Sequence, residues 1–180
     1  LRFYPCQSGS IFLHGQPIEL FPLKEYRTLF SVVSQDIYLF NDTIRNNVCM
    51  YRDFKEDKVF EVLQEVGLGE LVKERGMDFL VGINGAFLSG GQKQKVALAR
   101  ALLHNRPIFL FDEATSNTDI DFEARFRRML ADRLADKIVI MITHNADLLQ
   151  SASNIVLIEE GRVLCHGSYQ ELTEKEEQFA

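Results

Sequence analysis

Ile108-Phe109-Leu110-Phe111-Asp112-Glu113 decides how this chain folds. Four apolar residues running straight into two carboxylates read as a buried strand. The acids arrive at its C-terminal end, where open α/β sheets bind their ligands. Such a pair can hold a Mg²⁺ ion and polarise a water. Upstream, Leu88-Ser89-Gly90-Gly91-Gln92 is a polar turn that opens a helix. The free N–H groups of a first helical turn, with the positive end of the helix dipole, make an anion site. A phosphate-gripping turn and a metal-plus-base pair together imply nucleotide hydrolysis. The 180 residues contain no G-x-x-x-x-G-K-[ST] phosphate loop.

Outward from this strand the pattern alternates. Asp121–Leu134 reads as a helix with Phe122, Phe126, Met129 and Leu130 on one face. Residues 137–142 read as a second apolar strand, and residues 146–150 as a short helix capped by Asn145. A hairpin turns at Glu160-Gly161, and Ser168 with Glu171 forms a capping box for a last helix. The tail, with Glu174, Glu176 and Glu177, is acidic and solvated. Toward the N-terminus, residues 10–13 and 29–34 read as strands, the latter ending at Gln35. Residues 55–66 carry Val59, Val62, Leu63 and Val66 at helical spacing, with Asp53 as a candidate cap and Gly67 as the stop. Further helices span 70–75, ending at Gly76, and the stretch from Ser89 to about Leu103. Apolar strands alternating with helices predict a parallel sheet covered on both faces, with a helical insert between Asp42 and Leu103.

Composition narrows the class. At 180 residues the chain is one domain in size, 46% hydrophobic and 26% charged, which is globular. A net charge of −6 with no basic stripe excludes a nucleic-acid surface. Cys6, Cys49 and Cys165 lack metal-ligand spacing and suggest reduced thiols. The longest apolar runs fall short of a membrane span. Leu1-Arg2-Phe3-Tyr4-Pro5 reads like the tail of a helix already under way, as expected of a piece cut from a longer polypeptide.

LSGGQKQKVALARALL over 88–103, PIFLFDEATSNTD over 107–119 and Ile142-Thr143-His144 together resemble the ATP-binding cassette, the nucleotide-binding domain of ABC transporters. The resemblance runs from about Leu1 to Gly167-Ser168. It implies a P-loop NTPase-like parallel sheet, incomplete here, with a helical subdomain carrying the signature turn. Residues 1–41 would be partial ATPase core with the Q-loop, and 42–104 the helical subdomain. Residues 105–180 would be core bearing the Walker B, D-loop and H-loop segments. ATP and Mg²⁺ are the implied ligands.

The resemblance also assigns roles. Asp112 would reach Mg²⁺ through water, and Glu113 would act as general base or orient the attacking water. Gln35 would contact Mg²⁺ and sense the γ-phosphate, to which His144 would donate a hydrogen bond. Ser89, Gly90, Gly91 and Gln92 would face ATP held by a second cassette in a head-to-tail dimer, and Asp119 would lie in the loop crossing that interface. Asn117-Thr118 departs from the Ala-Leu usual there. Ile83 stands where exporter cassettes commonly carry Glu. Gln35 through Ile44 resembles the exporter form of the loop that meets the coupling helices of a transmembrane domain.

The phosphate loop and the adenine-stacking aromatic would both lie upstream. Without them the chain by itself is expected to bind ATP poorly and to leave apolar sheet surface exposed. Two functions follow. The first is an export-driving ATPase in the complete protein, peripheral on the cytoplasmic face of a membrane. The alternative is a non-catalytic cassette that lends its signature turn to a partner. Repair and chromosome-structure ATPases use a similar turn, but they insert long coiled coils before it.

Overall fold

The computed structural model describes residues 1–116 and 118–175, so Asn117, Glu176 and Glu177 lie outside the described residues. The chain divides into two compact units, Leu1–Ile142 and Thr143–Ala180. Residues 1–5 form no helix, against the sequence reading. Arg2 takes a left-handed φ of 59°, and Pro5 disfavours helix in the residue before it.

A small hairpin follows, β1 (Phe12–Leu13) antiparallel to β2 (Gln16–Pro17). Its turn is His14-Gly15, both with positive φ, the conformation that matches the twist of paired strands. Helix α1 (Leu23–Arg27) buries Tyr26 against Phe30, the first residue of β3 (Phe30–Val33). Helix α2 (Ile44–Cys49) is capped by Thr43, whose Oγ1 accepts from the Asn46 N–H at 3.0 Å.

Helix α3 (Glu56–Glu65) buries Val59, Val62 and Leu63 as its spacing predicts. Its cap differs from the sequence reading. Lys55 occupies the N-cap position without a side-chain bond, and its extended backbone leaves Asp53 outside the helix. Helix α4 (Gly69–Arg75) ends at Gly76, and α5 (Gly90–His104) runs on from the Ser89 turn.

The central sheet of the first unit is parallel throughout. It comprises β3, β4 (Ile108–Asp112) and, after α6 (Ile120–Asp132), β5 (Ile138–Ile142), in that order. Phe30, Ile108 and Ile138 stand in register, as do Asp112 and Ile142. Strand alternation sends Ser31, Val33, Phe109 and Phe111 to one face, where all four are buried. The Ser31 hydroxyl donates to the Ala101 carbonyl of α5 at 2.9 Å, and the Phe111 ring meets Phe126 of α6 edge-on at 5.2 Å. The opposite face is open at β5: Ile138, Ile140 and Ile142 are 53%, 55% and 58% exposed. Coverage on both faces, expected from the apolar run, is therefore met on one face, and exposed apolar sheet surface is present as anticipated.

In the second unit, Asn145 caps α7 (Ala146–Gln150) by accepting from the Asp147 and Leu148 N–H groups. Strands β6 (Ile155–Glu159) and β7 (Arg162–Gly167) pair antiparallel around Glu160-Gly161, again both at positive φ. Helix α8 (Tyr169–Lys175) begins with the predicted box. The Ser168 N–H donates to Glu171 Oε2 at 2.9 Å, and the Glu171 N–H donates to Ser168 Oγ at 3.4 Å.

Candidate functional site

Parallel pairing brings the ends of β3 and β4 together, and with them Gln35 and Glu113. Gln35 Nε2 donates to Glu113 Oε2 at 3.2 Å across 78 positions of sequence. Asp112 is the last residue of β4, half-buried and opposite Ile142. Glu113 extends the ladder one step, its N–H donating to the Ile142 carbonyl at 3.0 Å. There the backbone turns sharply. Glu113 has φ 51°, a left-handed value that a non-glycine residue holds only when its surroundings enforce it.

The signature turn is a complete capping box. The Ser89 N–H donates to Gln92 Oε1 at 2.9 Å, and the Gln92 N–H donates to Ser89 Oγ at 3.2 Å. Ser89 and Gly90 are exposed and Gly91 is half-buried. The Gly90 and Gly91 N–H groups belong to the first turn of α5, so no carbonyl of the helix itself can satisfy them. This is the geometry an anion would meet, with the two polar side chains spent on holding the turn rigid.

Asp119 has a local task. Its carboxylate caps α6, accepting from the Phe122 N–H at 2.7 Å and from Lys95 Nζ at 3.3 Å. These two partners, the backbone N–H first, hold its carboxyl below the usual carboxylate range. His144 is exposed and belongs to the second unit, just before the Asn145 cap.

The loop after Gln35 is fastened by residues that the sequence reading did not single out. Asn47 of α2 is fully buried and its amide makes a closed set of bonds. Its Oδ1 accepts from the Phe40 N–H at 2.8 Å, and its Nδ2 donates to the Phe40 and Thr43 carbonyls at 3.0 and 2.9 Å. Arg100 of α5 donates to the Asn47 carbonyl at 2.8 Å, and desolvation lowers its pKa. The Leu39 N–H donates to Asn84 Oδ1 at 3.2 Å, tying this loop to the segment before the signature turn. Tyr38 in the same loop points outward, 65% exposed.

Gln94 is a further residue to which the sequence motifs assign no role. It is 2% exposed, and its Nε2 donates to the Glu113 carbonyl at 2.8 Å. The signal was present: Gln94 stands on the stripe of α5 that continues through Leu98 and Ala101. A polar side chain on a buried stripe must have a hydrogen-bond partner.

Comparison with known proteins identifies the family. The family profile described as "ABC transporter" matches residues 1–116. An ATP-dependent lipid A-core flippase of Vibrio vulnificus is 39% identical over 99% of this chain. The ATP-dependent lipid A-core flippase 1 of Colwellia psychrerythraea is 37% identical over 100% of it. The chain spans only 31% and 30% of those two relatives. Among solved structures, a bacterial Atm1-family ABC exporter with ATP bound superposes with a TM-score of 0.94 at 32% identity. That alignment covers 99% of this chain and 32% of the exporter. The profile takes in well over half of the residues, and the chain belongs to the ABC transporter family.

Proposed function

We propose that these residues are the catalytic and signature part of a nucleotide-binding domain whose ATP hydrolysis drives an exporter. The observation that carries this reading is the meeting of Gln35 and Glu113 at the C-terminal ends of adjacent parallel strands.

The donor set suits Mg²⁺ with ATP. Among the described residues no three His, Cys, Asp or Glu side chains converge, as a transition-metal centre would require. Mg²⁺ instead uses one or two carboxylates, waters and phosphate oxygens. Asp112 would hold it through water, with the Gln35 amide oxygen as a further acceptor. When bound, the ion neutralises charge developing on the transferred phosphoryl group. Glu113 orients the attacking water and accepts its proton, while the amide nitrogen of Gln35 keeps the carboxylate directed. By the family resemblance, His144 would donate to the γ-phosphate. The Gly90 and Gly91 N–H groups, rigid and outward, serve the ATP of a second nucleotide-binding domain packed head to tail, with the Asp119 loop at the same interface.

Exposed Tyr38, on a loop fastened from behind by Asn47 and Arg100, supports docking against a transmembrane domain. Among the described residues no helix is long and apolar enough to cross a membrane. The similarity to full-length flippases and to an exporter supports a membrane span in that partner domain, with this domain at the cytoplasmic face, where ATP is available. The similarity to lipid A-core flippases and to an Atm1-family exporter supports export as the direction of transport. Cargo choice lies in the transmembrane part.

The test is Glu113→Gln in the full-length protein. ATP turnover falls by about 10²–10⁴-fold, the usual worth of a positioned base, while ATP binding persists. Turnover close to wild type would remove Glu113 from this role.

A further inference from the structure

The strained backbone at Glu113 needs an anchor, and the anchor lies on the signature helix. With φ at 51°, the direction of the Glu113 side chain depends on how the peptides on either side are held. On the N-terminal side, the Glu113 N–H is fixed by the Ile142 carbonyl at 3.0 Å. On the C-terminal side, the Glu113 carbonyl accepts two bonds, from the Ser116 N–H at 3.1 Å and from Gln94 Nε2 at 2.8 Å. The Ser116 bond closes a local turn. The Gln94 bond is the long-range one of the pair. Its donor is 2% exposed on α5, in the turn directly after the Ser89–Gln92 capping box. The next residue, Lys95, donates to Asp119 at 3.3 Å. One stretch of one helix thus grips both acidic segments that follow β4.

We propose that Gln94 is a positioning residue for Glu113. It pins the left-handed peptide so that the carboxylate meets Gln35, and it makes α5 a rigid link from the signature turn to the base. This rests on Glu113 acting in hydrolysis. The link gives the domain a direct route by which occupancy of the signature turn is felt at its own carboxylate. A shift of α5 along its axis moves the carbonyl of Glu113, and a misplacement of about 1 Å can cost a hundredfold in rate.

Two variants of the full-length protein test it, each measured alone and with Glu113→Gln. Gln94→Met keeps the side-chain volume and removes the donor. Its kcat falls by about ten- to a hundredfold with KM for ATP unchanged. In the E113Q background it adds no further loss, because the group it positions is already gone. Gln94→Glu keeps length and polarity, lacks the N–H at neutral pH, and carries the test should Q94M not fold. Its carboxyl can donate once protonated, so its turnover relative to wild type recovers as pH falls from about 8 to about 6, where a buried carboxyl regains its proton. Equal losses from Q94M in both backgrounds, a rise in KM alone, or full activity of Q94M beside an inactive E113Q overturns the positioning role and leaves Glu113 as base. Full activity of E113Q overturns both.

Discussion

The two faces of the β3–β4–β5 sheet are written in the same apolar alphabet and live in different surroundings. Phe109 and Phe111 stand on the face that α5 and α6 cover, and both are essentially without exposure. Ile138, Ile140 and Ile142 stand on the other face, each more than half exposed. The difference teaches that an apolar strand specifies a sheet without specifying what covers it. Coverage comes from helices whose own stripes fit, such as α6 through Phe126 against Phe111 and α5 through Ala101 against Ser31. Where no such element packs, the same residues stay in water. The largest expected effect therefore lies on the covered face. Phe111→Ala removes a ring packed against Phe109 and Phe126 and should cost about 3–5 kcal/mol in denaturant unfolding. A loss below about 1 kcal/mol would mean that the covered face is not the core.

Much of this was legible because the signals are local. Strands β3, β4 and β5, helices α3 through α6 and both ends of α4 follow from apolar spacing, Gly stops and polar caps. The meeting of Gln35 with Glu113 could be foreseen only through the family resemblance, since strand order is a tertiary choice. What stayed hidden depends on neighbours distant in sequence. Asp53 reads as a good cap, but the chain runs extended through Lys55 and leaves it outside. Helix α2 is too short to show a period. Gly85 looks like one more flexible residue before the signature turn. In the fold it takes φ 69°, and a Cβ there would lie 2.8 Å from Leu39 Cδ1, a buried side chain of the loop after Gln35. Glycine is required at that contact, and only the packed structure says so.

A smaller effect separates the faces by pH. The covered face obtains its lid from α5, and α5 ends in His104, half-buried beside Phe54. Burial lowers the His104 pKa, and the Arg52 and Arg106 charges lower it further; the Cys49 and Val48 carbonyls oppose them. Its Nε2 is buried with no hydrogen-bond partner among the described residues. A histidine whose folded pKa lies below its ordinary value of 6.5 contributes full stability above that value. The contribution is lost as pH falls through the depressed folded value, because the unfolded chain then binds the proton more readily. Stability should decline on acidification below about pH 6.5, and His104→Phe should flatten that decline. The aromatic replacement keeps the edge-on contact with Phe54, now at 5.3 Å. An unchanged slope in the variant would assign the acid sensitivity to other groups.

The smallest effect is the most direct test of the open face. Ile140 is central in β5, opposite Leu110, with about half its surface already in water. Ile140→Thr keeps the β-branched shape that a strand favours and replaces one exposed apolar branch with a hydroxyl. No cavity forms, because no neighbour surrounds that branch, so unfolding stability should change by no more than about 0.5 kcal/mol. Solubility should rise, since the change breaks an apolar row on a sheet. The same substitution in the full-length protein separates two meanings of exposure. If stability there is also unchanged, the row faces water in the assembled molecule. If it falls by the about 1–3 kcal/mol expected of a buried hydroxyl without a partner, the row is a face that the rest of the protein covers. The residues exposed in this chain would then be core residues of the larger domain.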